Sequence, residues 1–168
     1  MRYRARVLPD RLVCALAMAA SLAVVACGSG KSSSSTSRVD FKTGVATGYK
    51  DFVGLAAAIA QDIRGASPKT DAEVAKEFGG LAARADQEAS RLAGLSAPSK
   101  YAKRMTTLVV GFHAVNGDLA KIAAAATKHD AASAQTATRA VLVDAAKVKT
   151  AATSLSKDLG LPQPKAHS

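Results

Sequence analysis

The chain has 168 residues, a formal net charge of +10, no Trp, 4% aromatic residues and two Cys. That length fits one domain with a single core, and two cysteines exclude a disulfide framework as the source of its stability. Arg2, Arg4, Arg6 and Arg11 come first, followed by an uncharged run from Leu12 to Val25 made mostly of Leu, Val and Ala. This is the pattern of a secretory signal, and its length of 14 residues falls short of the roughly 20 that a helix needs to cross the hydrocarbon core.

Val24-Val25-Ala26-Cys27 closes that run with an aliphatic residue, a tolerant position, a small residue and a cysteine. Here the chain resembles a bacterial lipoprotein at its lipobox. The resemblance implies a diacylglyceryl group on the Cys27 thiol, cleavage before it, and an anchor of palmitate-type acyl chains. A thiolate is a strong nucleophile, and two or more acyl chains anchor stably where one of myristoyl length does not. Cys14 is discarded with the signal, so Cys27 is the one thiol of the mature chain and no internal disulfide is available. The expected location is the extracytoplasmic face of the cell membrane; in a Gram-negative host Gly28, not being Asp, implies the outer membrane. The resemblance covers only the first 30 or so residues.

Gly28 to Ser37 contains only Gly, Ser, Thr and one Lys. It cannot bury apolar surface and is expected to be a flexible tether. Beyond it, apolar residues recur at helical spacing. The first stripe has Phe41, Val45, Phe52, Leu55, Ile59 and Ile63. The second has Val74, Phe78, Leu81, Ala85, Leu92 and Leu95, with Ala89 or Glu88 on an interrupted turn. In the third, Tyr101, Met105, Leu108, Phe112, Val115, Leu119, Ile122 and Ala126 alternate steps of four and three, a heptad seam. The fourth has Val141, Ala145, Val148, Ala152, Leu155 and Leu159.

Boundary residues agree with four helices, at about 38–64, 70–93, 98–128 and 131–159, ahead of a disordered tail at 162–168. Ser37 and Asp40 precede the first stripe, Thr70 with Glu73 forms a capping box, and Asp130 can cap the fourth helix. Pro98 suits a first turn; Gly65, Gly94 and Gly160 suit helix ends. Asn116-Gly117 reads as a turn in isolation, but the seam keeps phase across it and favours one continuous helix. Short connections favour an all-α, up-down-up-down antiparallel four-helix bundle. Gly44-x-x-x-Gly48 is expected to allow close packing against an Ala-rich neighbour.

No motif for catalysis emerges. The Glu-x-x-His pairs of a di-iron bundle are missing from the sequence, as are Cys-x-x-Cys-His, Gly-x-Ser-x-Gly, His-Glu-x-x-His and a P-loop. His113 falls one place past the seam, His129 at a helix end and His167 in the tail, while Met105 lies on the seam as core filler. No cofactor or metal is expected. The third helix is net +4, and Lys100, Lys103 and Arg104 crowd its N-terminal turns, where the helix dipole disfavours cations. Acidic residues of the preceding helix, such as Glu88 or Asp86, or water could compensate; alternatively the three form an anion site. Nucleic acid is not an expected partner, because export removes the domain from the cytoplasm and no aromatic stacking pattern accompanies the charge.

The expectation is therefore a membrane-anchored, non-catalytic interaction module. Its expected partners are an anionic envelope polymer, lipid headgroups or another envelope protein. A small-ligand carrier or sensory domain is the alternative, and an enzyme or metal protein with an unadvertised site is the second.

Overall fold

A computed structural model describes residues 33–162. The signal, Cys27, residues 28–32 of the tether and residues 163–168 of the tail lie outside the described residues. Within them the chain is all-helical, with α1 at Ser33–Gly65, α2 at Asp71–Ala93, α3 at Ser99–Thr127 and α4 at Ala131–Asp158.

The four stripes account for the core. All eight seam residues of α3 are buried, as are Phe41, Val45, Phe52, Leu55 and Ile59 of α1 and Val141, Val148, Ala152 and Leu155 of α4. In α2 both Ala89 and Glu88 are buried on the interrupted turn, beside Phe78, Leu81, Ala85 and Leu92. The stripe ends Ile63, Val74, Leu95 and Leu159, and Ala145 within the fourth stripe, are half-buried against this core. α3 runs without interruption through Asn116-Gly117, and Asn116 Nδ2 donates to Asp86 Oδ1 of α2 at 3.2 Å.

Each helix packs on two others. α3 lies between α2 and α4, α1 also touches α2 and α4, and the backbones of α1 and α3 stay apart. Aromatic rings bridge that diagonal: Phe41 stacks on Tyr101 and Phe52 meets Phe112 edge-on, each with centroids 5.7 Å apart. Elsewhere Gly44 faces Leu95, Gly111 faces Val148, and Tyr49 approaches Thr153. α3 is long and apolar enough to cross a membrane by length and composition alone, and here its seam is the centre of the helical core.

The helix ends show which local signals dominate. The capping box at α2 is present: Glu73 N–H donates to Thr70 Oγ1 at 3.3 Å, and Thr70 N–H to Glu73 Oε2 at 2.8 Å. Asp130 caps α4 by accepting from Ser133 N–H at 3.0 Å. These bonds favour the charged carboxylates. Backbone and side-chain bonds from Thr70 hold the Glu73 carboxyl below its ordinary range, and bonds from the Ser133 hydroxyl and N–H do the same for Asp130.

α3 and α4 both finish in Schellman motifs. Asp130 N–H bonds to Ala125 O and His129 N–H to Ala126 O; Leu161 N–H bonds to Ser156 O and Gly160 N–H to Lys157 O. The motif needs a left-handed residue. Gly160 supplies it at φ 61°, while at α3 it is His129, at φ 56°. Gly94 ends α2 differently, in right-handed conformation at φ −74°.

One boundary departs from expectation. α1 begins at Ser33, so Ser33–Ser37 are helical where a tether is expected, and Ser37 and Asp40 lie inside the helix instead of capping it. Ser and Thr cost only about 0.5 kcal/mol each relative to Ala in a helix, and extending a formed helix avoids the cost of nucleation.

Two predictions follow from this packing. An added Cβ at Gly80 meets nothing within 4 Å, whereas at Gly111 it would lie 2.7 Å from Val148 Cγ2, on a stiff side chain that is itself buried. In thermal or urea unfolding, Gly80→Ala should stabilise by about 0.5–1 kcal/mol and Gly111→Ala destabilise by about 1–3 kcal/mol. For the caps, depressed folded-state pKa values mean stability that is present above the ordinary carboxylate range and lost as pH falls through the folded values. Asp130→Asn should flatten the acid limb of a pH-stability profile; a profile identical to wild type would show that the cap adds no pH-dependent stability.

Candidate functional site

The three cations expected to form an anion site have separate surroundings. Lys100, Lys103 and Arg104 are all exposed on the first turns of α3. Arg104 forms an ion pair with Asp158 at the end of α4. Lys100 Nζ lies 4.6 Å from the centroid of the Tyr101 ring, and neither Lys100 nor Lys103 has an ion-pair partner among the described residues. Cations in the first turn of a helix oppose its dipole by about 0.3–1 kcal/mol each. The relief at Arg104 therefore comes from α4, not from Asp86 or Glu88.

Those two carboxylates are engaged elsewhere. Asp86 Oδ1 lies 3.6 Å from Nδ1 of His113 and also accepts from Asn116. Glu88 is 7% exposed and takes a two-pronged bond from Arg91, whose Nε donates to Oε2 at 2.9 Å and Nη2 to Oε1 at 2.5 Å. Arg91 Nη1 also donates to the Gly44 carbonyl at 3.1 Å, and Asp51 lies 4.0 Å from Nη2. The bonds it donates to Glu88 raise the Arg91 pKa above its ordinary value. A Cβ on Gly48 would fall 2.6 Å from Arg91 Nη2 and 2.7 Å from Glu88 Oε1. Gly44-x-x-x-Gly48 thus packs closely on the Ala-rich α2, and what it admits there is a polar clamp, with Leu92 and Leu95.

Sequence reasoning overlooked this clamp. Its signal was a Glu standing on an apolar stripe with an Arg three residues on, opposite a pair of glycines one turn apart. A second buried carboxylate, Asp118 at 5% exposure, accepts from Lys121 at 2.8 Å. That bond raises the Lys121 pKa. The hydroxyl of Ser156, also buried, has no hydrogen-bond partner among the described residues.

Grooves lie between the helices of the described residues. One of about 520 Å³ lies between α3 and α4 near Asp118, Lys121 and Asp130. Another of about 410 Å³ lies between α1 and α2 beside the clamp. A third of about 570 Å³ runs along α3 and α4 from Arg104 and Thr107 to Thr150 and Ser154. Their linings are chiefly outward-facing Ala, Thr and charged residues. Among the described residues no three His, Cys, Asp or Glu side chains converge as metal ligands would. His113 and His129 each face a single Asp, with Nδ1 of His129 2.5 Å from Asp71 Oδ2, and Met105 is buried on its seam. Cys27 lies outside the described residues.

No protein family, curated protein or solved structure matches this chain.

The clamp generates its own test. Arg91→Ala leaves Glu88 buried without its partner and should cost about 1–3 kcal/mol, while Glu88→Gln combined with Arg91→Met should recover most of that loss. Urea denaturation of the wild type, the single variant and the double variant measures this, and an Arg91→Ala chain as stable as wild type would show that the pair contributes nothing to the α1–α2 contact.

Proposed function

We propose that the protein is an extracytoplasmic lipoprotein, anchored through Cys27, whose helical domain is a non-catalytic interaction module for anionic envelope components. The observation that carries this reading is the position of Cys27, placed where a 14-residue apolar run ends and a Gly/Ser-rich stretch begins. Unpaired cations at Lys100 and Lys103 support the anionic class of partner. The grooves between helices are open to solvent, whereas a carrier of apolar cargo would need a cavity that encloses most of its ligand.

The domain is an up-down-up-down antiparallel bundle. Support comes from residue pairs that run in opposite order along neighbouring helices: Asp71 with His129 and Asp86 with His113 between α2 and α3, Arg104 with Asp158 and Gly111 with Val148 between α3 and α4. The diagonal pairs Phe41 with Tyr101 and Phe52 with Phe112 run in the same order. Connections of a few residues between successive helices agree with this topology.

Fractionation tests the anchor. Cys27→Ser should move the protein from the membrane fraction to the soluble exported fraction, and mass spectrometry of the wild-type N-terminal peptide should find Cys27 as a lipid-modified first residue. Unchanged partitioning of the variant, or an unmodified cysteine in the membrane-bound chain, would sink the reading.

A further inference from the structure

Charge is distributed unevenly along the length of the bundle. One end gathers the first part of α1, the last turn of α2, the first turns of α3 and the last turn of α4, through Phe41 on Tyr101, Gly44 against Leu95, and Tyr101 Oη donating to the Asp158 carbonyl. Lys42, Lys100, Lys103 and Lys157 are exposed there, and none has a carboxylate within ion-pair distance among the described residues. Asp40 is exposed beside them, while Asp158 is taken by Arg104. The opposite end is mixed: Arg64, Lys76 and Lys128 are also exposed there without an ion pair among the described residues, but Asp62, Asp71, Glu73, Glu77 and Asp130 stand beside them, Lys69 pairs with Glu77 and approaches Asp62, and His129 faces Asp71.

Folding accounts for the four lysines only in part: Lys157 suits the last turn of α4 and Lys100 lies over the Tyr101 ring, yet Lys100 and Lys103 stand in the turns of α3 where the helix dipole opposes them, and Lys42 has neither role. Their place in the chain is informative. α1 begins at Ser33, six residues after Cys27, and six residues extend to at most about 20 Å. From Ser33 to Phe41 the helix rises only about 12 Å. The basic end is the one tied to the bilayer, close enough for a tilt of α1 to bring it within the ~8 Å over which headgroup charge acts at physiological salt.

The geometry points to this end as a docking surface for the anionic lipid headgroups of the bilayer that holds the anchor. Lys42, Lys100, Lys103 and Lys157 seat on headgroup phosphates, so that the domain rests end-on against the membrane and presents its mixed, opposite end outward. A surface of this kind adds an electrostatic signal to a lipid one, the pairing that makes membrane attachment stable. The inference rests on the lipoprotein reading for its proximity and on the lysine cluster for its chemistry.

The test uses the chain as its host exports it, with the mass of the Cys27 peptide recorded in the same sample. The protein is added to vesicles of phosphatidylcholine alone, or with about one-third phosphatidylglycerol, and lysines are marked with a membrane-impermeant amine-acylating reagent and read by peptide mass. On the anionic vesicles Lys42, Lys100, Lys103 and Lys157 should react on the order of fivefold more slowly, with the difference abolished by about 0.5 M salt. Lys76 and Lys128, towards the other end, should react alike on both. Equal rates for the four lysines on the two vesicles, equal protection of both sets, or protection by soluble polyphosphate with none by vesicles would overturn the inference. Because the vesicles are supplied in solution, an unlipidated Cys27 would remove the anchor reading without deciding the lysine result.

Discussion

The seam of α3 has to serve three neighbours at once. It faces α2 on one side and α4 on the other, and its Tyr101 and Phe112 also receive the rings of Phe41 and Phe52 from across the bundle. Because every seam residue from Tyr101 to Ala126 is buried, a break in its phase would disturb all three contacts. That explains why Asn116-Gly117 does not turn the chain: a two-residue turn preference is small beside the burial of Val115, Leu119 and Ile122, each worth about 1.5–3 kcal/mol. Asn116 finds a use on the helix surface instead, donating to Asp86.

α1 depends on a different device. Its backbone stays clear of α3, and it meets α2 where glycines remove the side chains that would otherwise hold the helices apart. The space admits Arg91, which bridges a buried Glu88 to the Gly44 carbonyl. A buried ion pair is seldom a large source of net stability, because desolvation offsets most of the attraction. Its geometry is nevertheless demanding: the guanidinium reaches both partners only when Gly44 lies opposite Arg91, so the pair fixes how far along α2 the first helix sits. Hydrophobic contacts, being non-directional, set that register less sharply.

The charges divide by the same architecture. Most carboxylates of α2 are committed to partners within the fold, through Thr70, Lys69, His113 and Arg91. On α3 and α4 only some of the cations are answered: Arg104 by Asp158, Lys121 by Asp118 and Lys147 by Asp144. Unanswered cations remain at both ends, but Lys128 has carboxylates of α2 nearby, whereas Lys100, Lys103 and Lys157, with Lys42, leave a net positive surplus at the other end. Such an asymmetry orients a molecule in the field of a charged surface, whereas the same net charge spread evenly would only attract it.

The sequence by itself determined the periodic and the local. Seams repeating every three and four residues could be read because burial on a helix face obeys the helix's own geometry, and the Thr70–Glu73 box and the Asp130 cap because their partners lie within one turn. The start of α1 was misread, since a serine run without apolar residues looks like a coil until a downstream helix has nucleated. Three features belong to the tertiary structure alone: Glu88 entering the core with Arg91, Arg104 answered by Asp158, and His129 holding the left-handed position while its ring faces Asp71. Arg104 and His129 meet a partner on another helix, and the Glu88–Arg91 pair, closed on α2 itself, is seated by the Gly44 carbonyl of α1; packing alone brings these groups close. Periodicity says which face of a helix turns inward; the polar side chains that meet at the rims of those faces depend on the register between helices, and no single helix encodes that.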